Sequence, residues 1–487
     1  MAKLKNIIKQ LSLDDYTAIY DSLIESNAEK SAFLLKTMRE KSLSDQKIMA
    51  ELEVNNNAYY TLRSRLNQKI EEYLLQQMES PRTDLLKKVA NINEIIFTKK
   101  RAISVATLKK LEKELLDYDL SNELTIVYKT LKKLHINTAD HFHYSQLYNK
   151  HVAYMLAVDK AEDLLAEYFK KFGEFSLTGD ETDKLGLTLM ASEMDNVCGL
   201  YNSHRLYVYQ NCLSIFHRLF IERGEKGDDG KEPIEDILDN IQKIFDTYFL
   251  DSIYFHLKLV FEFLRLEYYA HYNVFRKAEK FFDEVNEQTS ALLSNYGLYT
   301  YPPYFLQTRL ERAIRHKTEG ELYEENLSLF QDYECDKEDV SKYINYVVYR
   351  SISCYYAGKY EEAARFINNM LNDVSLKKYP YATLEVKSVL ALHYCLLKDY
   401  DLFHQLVNSI QRQIRLMGKD QCEDVVFFIK ILKISISDAK RDKATKIKVM
   451  ISKFESTVPK KLFSPTRLIV MDDKFVEALS VERLAEI

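Results

Sequence analysis

Eleven glycines and seven prolines are all that the 487 residues contain, against a combined usage of about 12% in average globular chains. A β-rich fold of this length needs many tight turns, and tight turns draw on those two residues and on Asn-Gly pairs. The scarcity therefore sets strand content near zero and predicts a chain that is helical almost throughout. Apolar residues recurring at three- and four-residue steps, as in Leu108, Leu111 and Leu115 or Ile237, Ile241 and Ile244, agree with amphipathic helices. A single compact core seldom grows to this length, so the helices must divide into domains or extend as a repeating array.

Charge and cysteine usage narrow the class further. With hydrophobic residues at 46%, charged residues at 29% and a net charge of −5, the chain is expected to fold and carries no global field that draws nucleic acid or an anionic membrane. Its six cysteines, Cys198, Cys212, Cys335, Cys354, Cys395 and Cys422, form no CxxC pair and no dense framework, and read as small core residues. Charges interrupt the apolar positions of the first twenty residues, so no export signal is read there. The longest apolar run, residues 425–436, is broken by two lysines and falls short of a membrane span. A cytoplasmic protein without a membrane segment is the expectation.

Three stretches break the helical texture: Ser80-Pro81, residues 223–233 with three glycines and seven charges, and residues 297–303. Between them the residues worth most attention are Ser351, the elbow Gly358-x-Tyr360-x-x-Ala363, and Ile367. Gly358 supplies a left-handed stop for one helix, Tyr360 packs across the elbow, and Ala363 lets the two helices approach closely. This segment resembles a tetratricopeptide unit, although Val347 stands where that family has tryptophan, Arg350 where it has leucine, and Met370 where it has a small residue. Fainter echoes occur at Tyr400 with Phe403, at Asn273 to Phe275 with Ala278, and at Ala157 to Ala161, which suggests a period near 40 residues. The expected architecture is an all-α superhelix of stacked helical hairpins. An amino-terminal helical module spans residues 1–80, the repeat region 81–470 with a loop at 223–233, and a carboxy-terminal tail 471–487.

The resemblance implies that function lies on the face lined by the first helix of each hairpin. Projection places Asn345, Val348, Ile352, Tyr355 and Tyr356 on that face in the Gly358 hairpin, and His143, Gln146 and Lys150 on it earlier in the chain. Asn345, Tyr355, Tyr356, His143, Gln146 and Lys150 are thus the candidate contacts for a protein or peptide partner. The 35 tyrosines, with no tryptophan, suit either such a groove or ordinary packing between helices.

The segment from Leu43 to Leu66 resembles a helix-turn-helix. Ile48, Leu52, Val54, Tyr59 and Leu62 fall at its apolar contacts, and Asn55 is placed to cap the second helix, with Met49 and Glu53 replacing the usual small residue and turn glycine. Arg63, Arg65 and Lys69 are the candidate DNA contacts, but residues 1–79 hold 11 basic against 12 acidic residues, the wrong balance for a DNA reader. Residues 440–467 carry nine Lys and Arg and two acidic residues, interleaved with apolar positions as a solvated helix face would be. His135, Asp140, His141, His143 and His151 do not match a metal-ligand spacing, and no nucleophile or phosphate-loop motif is present. The sequence therefore predicts a non-catalytic interaction scaffold with no metal or cofactor. A DNA-binding regulator is the alternative, with nucleic acid the less favoured partner.

Overall fold

The computed structural model describes every residue except 1–3, 5, 6, 9, 10, 12, 41–44, 78–80, 223–230, 249, 250, 332, 438–441, 459, 460 and 481–487. Among the described residues there are no strands and 24 α-helices. The helices are α1 (Leu13–Glu25), α2 (Glu29–Glu40), α3 (Asp45–Leu52), α4 (Asn56–Gln77), α5 (Pro81–Ala90), α6 (Ile92–Thr98), α7 (Arg101–Asp117), α8 (Ser121–Leu134) and α9 (Asp140–Thr178). They continue with α10 (Glu181–Gly199), α11 (His204–His217), α12 (Ile234–Thr247), α13 (Ser252–His271), α14 (Phe275–Glu287), α15 (Thr289–Asn295), α16 (Pro303–His316) and α17 (Leu322–Leu329). The last are α18 (Val340–Tyr356), α19 (Tyr360–Asp373), α20 (Pro380–Leu397), α21 (Tyr400–Met417), α22 (Glu423–Ile436), α23 (Lys443–Ser456) and α24 (Asp473–Ser480). The fold class is all-α, and no described helix is long and apolar enough to cross a membrane.

The chain divides into two compact units, Met1–Val152 and Ala153–Ile487. The first contains two separate cores. One draws on residues from Leu4 to Ile70, the other on residues from Leu85 to Tyr144. In the helix-turn-helix-like segment Ile48, Leu52 and Tyr59 are buried in the former, Asn55 Oδ1 accepts the Ala58 amide at 2.9 Å, and Glu53 takes the left-handed conformation (φ 53°) that a turn glycine would. Residues 43 and 44 lie outside the described residues.

The second unit is built from helical hairpins that pack in sequence order: α13 on α14, α18 on α19, α20 on α21, and α22 on α23. Four elbows share one device. Asn273, Lys317, Gly358 and Lys398 have φ of 58°, 60°, 71° and 63°, which places them 40 to 44 residues apart. In each case the next residue's amide reaches back five residues, from Val274 to the Tyr269 carbonyl, Thr318 to Ala313, Lys359 to Cys354 and Asp399 to Tyr394, at 2.8–3.0 Å. This is the hydrogen-bond pattern of a left-handed helix stop. At Gly358 an added Cβ would meet nothing within 4 Å, so glycine is required there for its backbone conformation alone.

The two helices of a hairpin differ in pattern. Second helices have one apolar stripe, Ala278, Phe282 and Val285 in α14 or Phe403, Val407, Ile410 and Ile414 in α21, and present their other side to solvent. First helices are buried on most sides, α20 from Tyr381 through Cys395. Side-chain hydrogen bonds join consecutive first helices one repeat apart. Thr308 donates to Glu267 (2.7 Å), Arg309 to Tyr349, and Cys395 pairs with Ser435 (3.0 Å), at separations of 41, 40 and 40 residues. Ser351 donates to the Ala363 carbonyl at 2.9 Å and bonds His393 of the next first helix at 2.9 Å, so the small residues of the elbow set the spacing both within and between hairpins. Pro303 opens α16, after the break read at residues 297–303. The expected loop at 223–233 lies outside the described residues through 230. Within the segment read as a tail, Asp473–Ser480 forms α24 because Phe475, Val476 and Leu479 make an apolar stripe, and that stripe is buried in the larger core.

Candidate functional site

α16 buries Phe305, Leu306, Leu310 and Ala313 in the core of the second unit and turns Tyr304, Gln307 and Glu311 the other way. Those three residues form the shared wall of two clefts. One, of about 410 Å³, is closed on its far side by Asn345 and Val348 of α18 and by residues 461–470. The other, of about 220 Å³, extends toward Glu267 of α13 and Glu279 of α14. Together they run along the first-helix face. Gln307 donates to Glu311 at 2.7 Å, and desolvation in the cleft raises the Glu311 carboxyl, opposed in part by Gln307 and Arg315. Glu267 is 5% exposed, and burial raises it to about 8, opposed only in part by the hydroxyl of Thr308. The lining thus offers the Gln307 amide and the carboxyls of Glu267 and Glu311, both shifted upward by burial, on an aromatic floor, with an ionic edge where Arg312, Arg315 and His316 converge on Glu279.

The opposite wall is the chain's own strap. After α23 the backbone returns over the first-helix face as residues 461–470, with a single 3-10 turn at Pro465–Leu468. Tyr356 grips its main chain, donating to the Leu468 carbonyl at 2.6 Å and accepting the Val470 amide at 3.0 Å. Thr466, fully buried, sends its hydroxyl (2.8 Å) and its amide (3.3 Å) to one oxygen of Glu385. Glu385 is itself fully buried, and desolvation together with nearby Asp424 raises its carboxyl to about 8. The Tyr381 hydroxyl links the two acids, lying 3.0 Å from Glu385 Oε1 and 2.8 Å from Asp424 Oδ2. Lys461 donates to the Gly179 carbonyl at 2.7 Å.

The sequence-derived residues fall in three places. Asn345 and Tyr356 lie on the first-helix face, Asn345 bonded to Tyr301 (3.2 Å) and lining the larger cleft, Tyr356 occupied by the strap. Tyr355 is half-buried among Tyr356, Tyr360 and His393. Val348 and Ile352, projected onto the same face, are buried. His143, Gln146 and Lys150 are exposed at helical spacing on α9, within the first compact unit. There, Arg65 is exposed and Lys69 half-exposed, whereas Arg63 is held by Asp45 at 3.2 Å with its side chain 13% exposed.

Sequence reasoning missed Tyr304, Gln307, Glu311 and the strap. Several of the described basic residues of 440–467 serve the fold: Lys443 donates to the Ser435 carbonyl (2.6 Å), Lys448 pairs with Asp473 (2.8 Å), and Arg467 stacks 4.1 Å over Phe454 and donates to Thr457, whereas Lys446 and Lys453 are exposed. Lys440, Arg441 and Lys460 lie outside the described residues. No group of three or more His, Cys, Asp or Glu among the described residues is arranged to hold a metal ion. In the histidine cluster His135 faces Asp140 at 3.3 Å, His141 bonds the Lys132 carbonyl at 3.0 Å, and burial lowers the pKa of His151. Comparison with family models, with curated protein sequences and with solved structures gives no match.

Proposed function

We propose that the protein is a non-catalytic scaffold of tetratricopeptide-like hairpins, working in the cytoplasm, whose first-helix groove in the second unit receives an extended segment of a protein partner. One observation carries this reading: a stretch of the chain's own polypeptide, residues 461–470, with one 3-10 turn at Pro465–Leu468 and extended backbone at Ile469, already rests in that groove through main-chain bonds to Tyr356. Beside it the cleft along Tyr304, Gln307 and Glu311 stays open. Extended peptides are held in this way, with backbone bonds supplying register and a few pockets supplying specificity.

The test is photo-crosslinking in the native cells from a cross-linker at Gln307, with one at Asp401 on the outer side of α21 as control. The adduct is sequenced to its attachment site. A single protein segment joined at Gln307 and absent at Asp401 supports the reading. Equal labelling from both positions, or adducts with nucleic acid alone, removes it.

A second reading rests on the α3–α4 pair, where Glu53 adopts the turn conformation and Asn55 the capping role of a helix-turn-helix. The engagement of Arg63 with Asp45 counts against it. Salt-sensitive DNA retardation by the full chain, lost in Arg65→Ala with Lys69→Ala, is what this reading requires.

A further inference from the structure

We infer that residues 461–470 are a tethered stand-in for the groove's ligand, and that the ligand is a segment carrying proline, then serine or threonine in a single 3-10 turn, then an apolar residue three positions further on in extended backbone. The inference rests on the peptide-groove reading and adds to it the chemistry of the peptide. Three contacts define that chemistry. Pro465 and Thr466 are buried against α20, where a hydroxyl is needed because Glu385, raised to about 8, is a neutral carboxyl beside a second buried acid. The Tyr356 hydroxyl reads the carbonyl of one residue and the amide of the next but one, so it accepts any sequence but requires extended backbone at the residue between them, Ile469, after the 3-10 turn. Phe463 and Ile469, 7% and 3% exposed, fill apolar space on either side.

Two features distinguish the strap from an ordinary core element. It bonds the face through its main chain and the hydroxyls of Ser464 and Thr466, which a segment of the same pattern can reproduce. The cleft of about 410 Å³ left between it and α16 shows that it does not complete the packing there, in contrast to the dense interiors proteins build where a segment is permanent. A partner segment of the same pattern therefore competes with the strap for Tyr356 and Glu385. The buried acids Glu385 and Asp424 also exclude a phosphorylated threonine at this position, since a phosphate dianion would be desolvated next to both.

The experiment uses the full chain and a fluorescent peptide with the sequence of residues 461–471. The strap is weakened on its own side by Phe463→Ala with Thr466→Ala, leaving the groove residues intact. The peptide is expected to bind this variant at least about tenfold more tightly than wild type, and a peptide with valine or phosphothreonine at the position of Thr466 is expected to lose at least about tenfold. Circular dichroism verifies that the variant is folded. In wild type, the amides of Thr466 and Val470 are expected to exchange with solvent faster than those of Val389 and Leu390 in α20. A folded variant that binds the peptide no better than wild type overturns the inference. If the variant does not fold, the exchange measurement decides, and strap amides that exchange only at the α20 rate overturn the inference by showing a permanent part of the core. The two readings fail separately: a partner segment crosslinked at Gln307 while the strap stays fully protected leaves the groove standing and removes the stand-in.

Discussion

Replacing Arg309 by methionine removes the side chain that ties four helices of the array together. Arg309 is 2% exposed; its Nε donates to Asn286 of α14 at 2.7 Å, Nη1 to Asn326 of α17 and Tyr349 of α18, and Nη2 to Glu325 of α17. The partners do not suffer equally. The Glu325 side chain is 51% exposed and rehydrates when its partner leaves, a loss of about 0–1 kcal/mol. Tyr349 keeps its 2.9 Å bond to Asn326. Asn286 loses a charged donor in a half-buried position, about 1–3 kcal/mol, while methionine spares the desolvation of a buried guanidinium. The net expectation is about 2–3 kcal/mol for Arg309→Met and less than about 1 kcal/mol for Glu325→Ala. Two compact units make a single unfolding midpoint ambiguous, so the assay is native-state hydrogen exchange at the amides of α16 and α18. If Glu325→Ala loosens those helices as much as Arg309→Met does, the exposed ion pair and not the buried network holds the repeats, and the reasoning fails.

The buried titrating groups set a pH profile for stability. Glu267 and Glu385 rise from 4.5 to about 8, so each keeps a proton in the folded state that the unfolded state has lost, and stability falls by about 1.4 kcal/mol per pH unit per group as pH rises through that window. His217 and His393, lowered from 6.5 to about 4 and about 3, act oppositely and cost stability as pH falls below 6.5. The opposing slopes offset each other between pH 4.5 and 6.5, so thermal melting should peak there, and Glu385→Gln should flatten the alkaline side. At the elbows, Gly358→Ala is expected to destabilise by about 1 kcal/mol through backbone strain alone, with crowding excluded by the open space around it, and native-state hydrogen exchange at the amides of α18 and α19 measures it. Ala363→Leu, at a fully buried elbow position, should cost more, about 1–3 kcal/mol, in the same assay.

Much of this architecture is legible in the residues. The scarcity of glycine and proline is enough to set strand content near zero, and Gly358 with Ala363 marks one hairpin, because a left-handed stop and a close helix approach each demand a particular small residue. The neighbouring elbows are harder to see because Asn273, Lys317 and Lys398 adopt the same left-handed backbone without glycine; there the surrounding helices impose what the residue itself only tolerates. Of the projected residues, Asn345 lines the larger cleft and Tyr356 bonds the main chain of Leu468 and Val470. What covers that face is invisible locally, since the Tyr356 contacts to Leu468 and Val470 span 112 and 114 residues. Lys461 and Arg467 read as solvated charge in the sequence, yet both are spent on carbonyls within the fold. Glu311 gives no signal at all, because an acid in a helix looks the same whether it faces water or a cleft.

The decisive measurement is a titration of the purified chain with the synthetic form of whichever partner segment crosslinks at Gln307, in wild type and in a Tyr304→Ala, Glu311→Ala variant shown to be equally helical. The groove account expects one segment per chain and a loss of affinity of at least about tenfold in the variant. Equal affinity for both proteins would contradict it and would place the partner's contacts elsewhere on the molecule.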